Sequence, residues 1–204
     1  SMGIVLKRRD NAGVVKDVYG GIIDILMKDK DIEKAAQFLG DSLKGLIEGE
    51  VGIPKLIITK ALRGNYKNPK QIAHKVLADR IGRRDPGNKP SIGDRIPYVY
   101  FKNPEKKALQ GDKIELPSFI EEQKLEIDYS HYITNQIMKP VQQVFALVLE
   151  KMKLFKKRKG ATLRVWHAQL KKLREKHPDD ETYRRRLETL RNREVKALLF
   201  DDWL

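Results

Sequence analysis

The sequence predicts a mostly α protein with a small β element, an α+β arrangement in which helices carry most of the chain. Three observations lead there. Apolar residues recur at three- and four-residue spacing in six stretches, the pattern of a helix with one buried face. Two short apolar runs, at 55–59 and 96–101, read as strands instead. The segments between them, notably 85–93 and 103–123, are rich in turn residues.

The first segment, Gly3-Ile4-Val5-Leu6, reads as a strand that ends in the basic cluster Lys7-Arg8-Arg9, and Asp10 or Asn11 is placed to cap the helix that follows. Ser1-Met2 reads as a cloning remnant, of which at least Ser1 is not expected to belong to the fold. Val14, Val15, Val18, Tyr19, Ile22 and Leu26 form one helical stripe. Gly20-Gly21 weakens that helix and leaves room for another backbone to approach closely. Asp31 caps a second helix with Ala35, Leu39, Leu43 and Leu46 on its apolar face, and Gly49 stops it. Pro54 begins a buried strand over 55–59, with Lys60 at its polar end. Asn68-Pro69 opens the next helix, and Pro97 makes the 96–101 strand an edge strand. Asp128 caps a further helix, which bends or restarts at Pro140. Past Lys156-Lys157-Arg158-Lys159-Gly160, two amphipathic helices carry Leu163, Trp166, Leu170 and Leu173, then Tyr183, Leu187, Leu190 and Leu198.

The chain has 204 residues, a formal net charge of +14 and a pI near 9.8. Its natural partner is therefore expected to be anionic, with nucleic acid first and an anionic membrane surface second. No apolar run approaches the ~18 residues of a bilayer span, and no signal-peptide pattern opens the chain. The absence of cysteine excludes disulfides and thiolate metal sites. His74 has no second ligand at helical spacing, and the tandem pairs Asp179-Asp180 and Asp201-Asp202 suit capping and solvation better than metal binding. No catalytic and no metal-ligating residue is assigned.

Five ordered segments resemble family B DNA polymerases. Ile58-Thr59-Lys60 is similar to the family's I-T-K strand. His74 to Arg80 matches H-x-x-x-A-x-R, and Gly93 to Val99 matches G-D-R-I-x-Y-V. Ile127 to Pro140 resembles I-D-x-x-Y-Y-I-x-x-Q-I-x-x-P. Arg8-Arg9-Asp10-Asn11 resembles the R-R-D-N junction of replicative and large-DNA-virus members, although Leu6-Lys7 departs from the family there. The resemblance covers roughly Gly3 to Met152.

The resemblance implies a helical polymerase thumb with a C-terminal helical extension. Residues 1–10 would end a palm strand and form the palm–thumb junction, 11–155 would be the thumb, and 156–204 a basic extension separable from the core. The thumb would grip the primer–template duplex through Arg8, Arg9, Lys60, His74, Arg80 and Arg95. The full-length enzyme would use Mg²⁺, held by palm aspartates outside this chain; no D-x-x-S-L-Y-P or Y-G-D-T-D motif is present, so this piece alone is expected to be inactive. Its partners would be duplex primer–template, the upstream palm of the same polypeptide and, as a candidate, a processivity factor, with no membrane. It would act inside the cell, at a viral replication site or in a host nucleus. Two rivals stay open at this point: a stand-alone basic helical module for nucleic acid or anionic membrane, and a docking module for a replication partner.

Overall fold

The computed structural model describes residues 2–204, so the reading of Ser1 lies outside it. The described residues are mostly helical, with one three-stranded antiparallel sheet in the order β1-β2-β3. They divide into two compact units, one of residues 2–17 and 46–136, the other of 18–45 and 137–204.

In the first unit, α1 (Met2–Lys7) is helical where a strand was expected. A strand needs a partner for its backbone groups, whereas a helix satisfies them within the segment. Neither expected residue caps α2 (Gly13–Asp24). Asp10 pairs with Arg8, and Asn11 donates to the Val5 carbonyl at 3.2 Å. The Ala12 N–H, just ahead of α2, donates to Gln136 Oε1 at 3.3 Å.

Strand β1 (Ile58–Ala61) begins later than expected, because Ile53–Lys55 forms a 3₁₀ turn around Pro54. It pairs with β2 (Arg95–Tyr100) in a register that sets Thr59 opposite Pro97 and Lys60 opposite Ile96. β2 is the central strand, not an edge. Pro97 is tolerated because β3 (Ile114–Glu115) pairs only with Val99 and Tyr100, which leaves β2 one-sided at the proline. Asn68-Pro69 opens a 3₁₀ turn rather than the helix. Helix α4 (Ala73–Arg84) starts after Ile72, so His74 stands in its first turn. The intervening helix, α3 (Ile32–Ile47), runs from Asp31, whose carboxylate accepts from Lys34 N–H at 3.0 Å, to a left-handed Gly49 just beyond its end.

Leu77, Ala78 and Ile81 of α4 are buried in this unit, as are Leu56, Ile58, Ile96, Tyr98 and Val99. Gly111 belongs to this packing: a Cβ there would stand 2.3 Å from Val76 Cβ, so only glycine lets the 110–113 turn lie on α4. After α5 (Pro117–Gln123), α6 (Tyr129–Tyr132) is capped by Asp128, which accepts from His131 N–H at 3.1 Å. The Tyr132 hydroxyl donates to the Leu56 carbonyl at 2.6 Å and accepts from Tyr100 N–H at 3.1 Å. One fully buried phenol thus ties α6 to both strand-bearing segments, and burial pushes its pKa far above the ordinary tyrosine value.

A π-helical turn, Ile133–Ile137, follows α6, and regular α geometry restarts at α7 (Met138–Ala146). The restart puts Pro140 in the first turn of α7, where a missing N–H costs little.

In the second unit, Val141, Val144, Phe145 and Leu149 join Val18, Ile22, Leu39 and Leu43 among the buried residues. At the double glycine an aromatic side chain, not a backbone, makes the close approach. A Cβ on Gly21 would fall 2.4 Å from Phe38 Cζ.

The last part of the chain is not a separate unit. It consists of α8 (Lys153–Lys159), α9 (Arg164–Lys176) and α10 (Asp180–Leu199). Trp166 and Phe200 are fully buried, and Trp166 meets Phe155 edge-on with centroids 5.0 Å apart. Gln142 of α7 donates to the Asn192 carbonyl at 3.1 Å, and Arg191 of α10 donates to the Ala146 carbonyl at 3.1 Å. The compositional shift at Lys156 falls inside one compact unit, in which α9 and α10 contribute buried side chains.

Candidate nucleic-acid interface

Five of the six residues expected to touch DNA line one cleft of about 500 Å³ in the first unit: Arg8, Arg9, Lys60, His74 and Arg95. Asp10, Thr59, Ala61, Arg63 and Tyr66 complete its lining. Four separate pieces of chain build it: the segment after α1, β1 with the loop that follows, the start of α4 and the start of β2.

Register places the key pair. Thr59 faces Pro97, so Arg95 lies two residues along β2 on the same face, within diagonal reach. Its Nε and Nη2 donate to Thr59 Oγ1 at 3.3 and 3.0 Å, and Nη2 also donates to the Thr59 carbonyl at 3.0 Å. Thr59 Oγ1 in turn donates to the Arg9 carbonyl at 3.3 Å. One edge of the Arg95 guanidinium is thus fixed to β1, which leaves Nη1 to face a ligand at reduced conformational cost.

A second relay holds the opposite wall. Arg63 N–H donates to the Tyr66 hydroxyl at 2.8 Å, and that hydroxyl lies 3.1 Å from His74 Nε2. A hydroxyl has one hydrogen and two acceptor lone pairs, so it accepts from Arg63 and still pairs with Nε2, in a direction set by the imidazole tautomer. Burial, chiefly, and then the positive charges of Lys60 and Arg63 hold His74 below the ordinary imidazole pKa, against a hydrogen bond to the Ala61 backbone. His74 is therefore uncharged near neutral pH and braces the loop rather than adding to the field.

The charge of the cleft comes from Arg8, Arg9, Lys60, Arg63 and Arg95 against the single carboxylate of Asp10. Arg8 is ion-paired to that carboxylate, and this hydrogen bond is the main reason Asp10 stays below the usual carboxylate range. Among the described residues, Arg9, Lys60, Arg63 and Arg95 make no ion pair. Exposed cations that share one concave surface without counter-charges form an anion site, and their summed field is what a polyanion meets.

Arg80 does not line this cleft and is engaged within the fold. Its Nε donates to Glu115 Oε1 at 3.0 Å, Nη1 to the Gly111 carbonyl at 3.0 Å and Nη2 to the Ile114 carbonyl at 2.6 Å. Arg84 donates to both oxygens of the same buried Glu115, at 2.9 and 3.0 Å. A buried carboxylate demands such partners, and the two arginines of α4 that face β3 supply them. Arg63 and Tyr66 were missed in the sequence. Their only signal was proximity to Ile58-Thr59-Lys60 along the chain, since the fold of the 62–68 loop decides that they turn back over the cleft.

Residues 1–148 match the family model described as DNA polymerase family B. The chain belongs to that family. It is 49% identical to the DNA polymerase of Pyramimonas orientalis virus across its whole length, which is 17% of that relative. The DNA polymerase of Acanthamoeba polyphaga mimivirus is 51% identical over 74% of this chain and 9% of its own. The DNA polymerase delta catalytic subunit of Candida albicans is 34% identical over 74% of this chain and 14% of its own. The chain thus spans less than a fifth of these relatives. A solved family B DNA polymerase from the archaeon Pyrobaculum calidifontis shares the fold over 64% of this chain and 17% of its own, with a TM-score of 0.54 at 21% identity.

Proposed function

We propose that this chain is the thumb region of a family B DNA-directed DNA polymerase and that its basic cleft holds the phosphodiester backbone of the primer–template duplex. The observation that carries this is the convergence of Arg8, Arg9, Lys60, Arg63 and Arg95 on one cleft around a single carboxylate. Guanidinium and ammonium donors contact phosphate oxygens at any sequence, which is what a translocating enzyme needs. Arg95, held from behind by Thr59, acts as a fixed donor, whereas Lys60 is a mobile one.

Nucleotide addition would be carried out elsewhere in the polypeptide. Mg²⁺ supplies nucleophile activation and leaving-group stabilisation in two-metal phosphoryl transfer. Among the described residues no three His, Asp or Glu side chains come together as a metal would need, so no catalytic step is assigned to this chain. Its contribution is grip. No described helix is long and apolar enough to cross a membrane, and the cleft lacks the apolar face that a surface-lying helix would bury.

The test is fluorescence anisotropy of the chain on a labelled primer–template across a salt series. Lys60→Ala and Arg9→Ala should each lower the salt slope by up to about one unit while binding stays independent of sequence. Wild-type affinity and slope in both variants would refute the reading.

A further inference from the structure

The second unit carries another cationic groove, outside the 1–148 span of the family match. It lies along the α9–α10 hairpin, has a volume of about 300 Å³, and is lined by Lys172 and Lys176 on one helix and Arg186 and Arg193 on the other. Gln169 and Thr189 add neutral donors, and Leu173 and Leu190 form the floor. No carboxylate lines it. Neighbouring cations are already used: Arg174 pairs with Asp180 and lies over the Tyr183 ring, Arg191 pairs with Glu150, and Lys159 with Glu194. The four groove cations make no ion pair among the described residues.

The spacing is regular. Lys172 and Lys176 stand one turn apart, and Arg186 and Arg193 two turns apart, about 6 and 10 Å along their axes at 1.5 Å per residue. Residues 156–204 contain 15 Lys and Arg against 8 Asp and Glu. A fold that leaves this excess uncompensated repels itself unless a polyanion lies against it.

We infer that the α9–α10 groove is a second phosphate-backbone contact for DNA, additional to the cleft of the first unit. It rests on the proposed role of the chain for the choice of DNA as the polyanion. An acidic amphipathic peptide is the other occupant that cationic rims over leucines would take, but such a peptide needs apolar pockets for its anchors. Here the two leucines are half-buried where the helices meet and leave only a shallow floor. Two rows of long cationic side chains instead match a strand that carries a phosphate every ~3.4 Å of duplex axis.

The experiment uses the full chain and a fluorescein-labelled duplex of mixed sequence, with anisotropy read from low to moderate salt. The quadruple variant K172A/K176A/R186A/R193A should lower the salt slope by about two to four units. A control quartet of other exposed, unpaired cations, K30A/K44A/K139A/K151A, should change it by less than half as much. Thermal melts of both should follow the wild type. An unchanged slope in the groove variant, or an equal loss in the control, would overturn the inference. So would loss of polyglutamate binding with duplex binding intact, which would assign the groove to an acidic protein segment. Lys60→Ala, measured alongside, separates the two sites. If it has no effect while the groove variant does, the cleft reading fails and the groove stands; the reverse removes only the groove.

Discussion

Replacing Arg80 with alanine distinguishes a phosphate contact from a structural brace. The side chain is only 22% exposed and makes one charged and two carbonyl hydrogen bonds to the 111–115 segment. The Glu115 contact contributes about 1.5–3 kcal/mol and each carbonyl contact about 1 kcal/mol. Two effects reduce that sum. Glu115 keeps both hydrogen bonds from Arg84, so no buried charge is left unpaired. Water also reaches part of the vacated space. The expected destabilisation is then about 2–3 kcal/mol, which for a chain of this size lowers Tm by roughly 4–12 °C. Exposed cations such as Lys60 should move stability by less than ~0.5 kcal/mol. Urea titration and thermal melts read the stability, and the salt dependence of duplex binding reads the contact. Arg80→Ala should melt early and bind DNA with the wild-type slope below its melting range. A variant that melts normally and loses about one unit of slope would refute the brace and return Arg80 to the DNA surface.

Glu115→Ala should be more damaging still, about 3–4 kcal/mol by denaturant titration, because two guanidinium groups lose their buried acceptor together. Removing residues 156–204 should abolish the cooperative melt of the second unit rather than spare it, and Trp166→Ala alone should cost about 3–5 kcal/mol; a truncated chain with an intact sharp transition would refute the shared core. His74 and His131 are both held below the ordinary imidazole pKa, chiefly by burial. The unfolded chain therefore binds protons first as pH falls through ~6.5, and stability is full above that value and declines below it. The Tm difference between pH 7.5 and 5.5 should shrink in His74→Gln and in His131→Gln. Arg95→Ala should barely shift Tm while lowering the slope of duplex binding by about one unit.

Local signals were enough for most of the long helices and several of their caps. Asp31, Asp128 and Asp179 cap helices as their positions imply, because an N-cap needs only one short side chain and the N–H groups within three residues of it. The helical stripes, the close approach at Gly21 and the stop at Gly49 follow from periodicity and from glycine's freedom. Much of the basic cleft was legible too: Arg8, Arg9, Lys60, His74 and Arg95 sit in four short motifs whose order along the chain carried the family resemblance.

What local signals could not supply was partnership between distant residues. Ile4-Val5-Leu6 has strand-forming residues but no neighbouring strand, so the backbone closes its hydrogen bonds as a helix. Pro97 ruled out pairing on one side of one residue, not a central place in the sheet, and β3 is short enough to avoid it. Arg80 and Lys60 look alike as cations at the ends of motifs. The difference lies in Glu115 of β3, 35 residues further on, whose burial against α4 is a property of the packed chain alone. The amphipathic faces of α9 and α10 announced that they would be covered, but their covering by α7 and α8, instead of by each other alone, depends on packing across some fifty residues. Composition and spacing determined the helices, the caps and a surplus of positive charge; which cations were spent on buried carboxylates and which remained for an anion was decided only when the chain folded, because burying a charge requires a partner that the local sequence does not name.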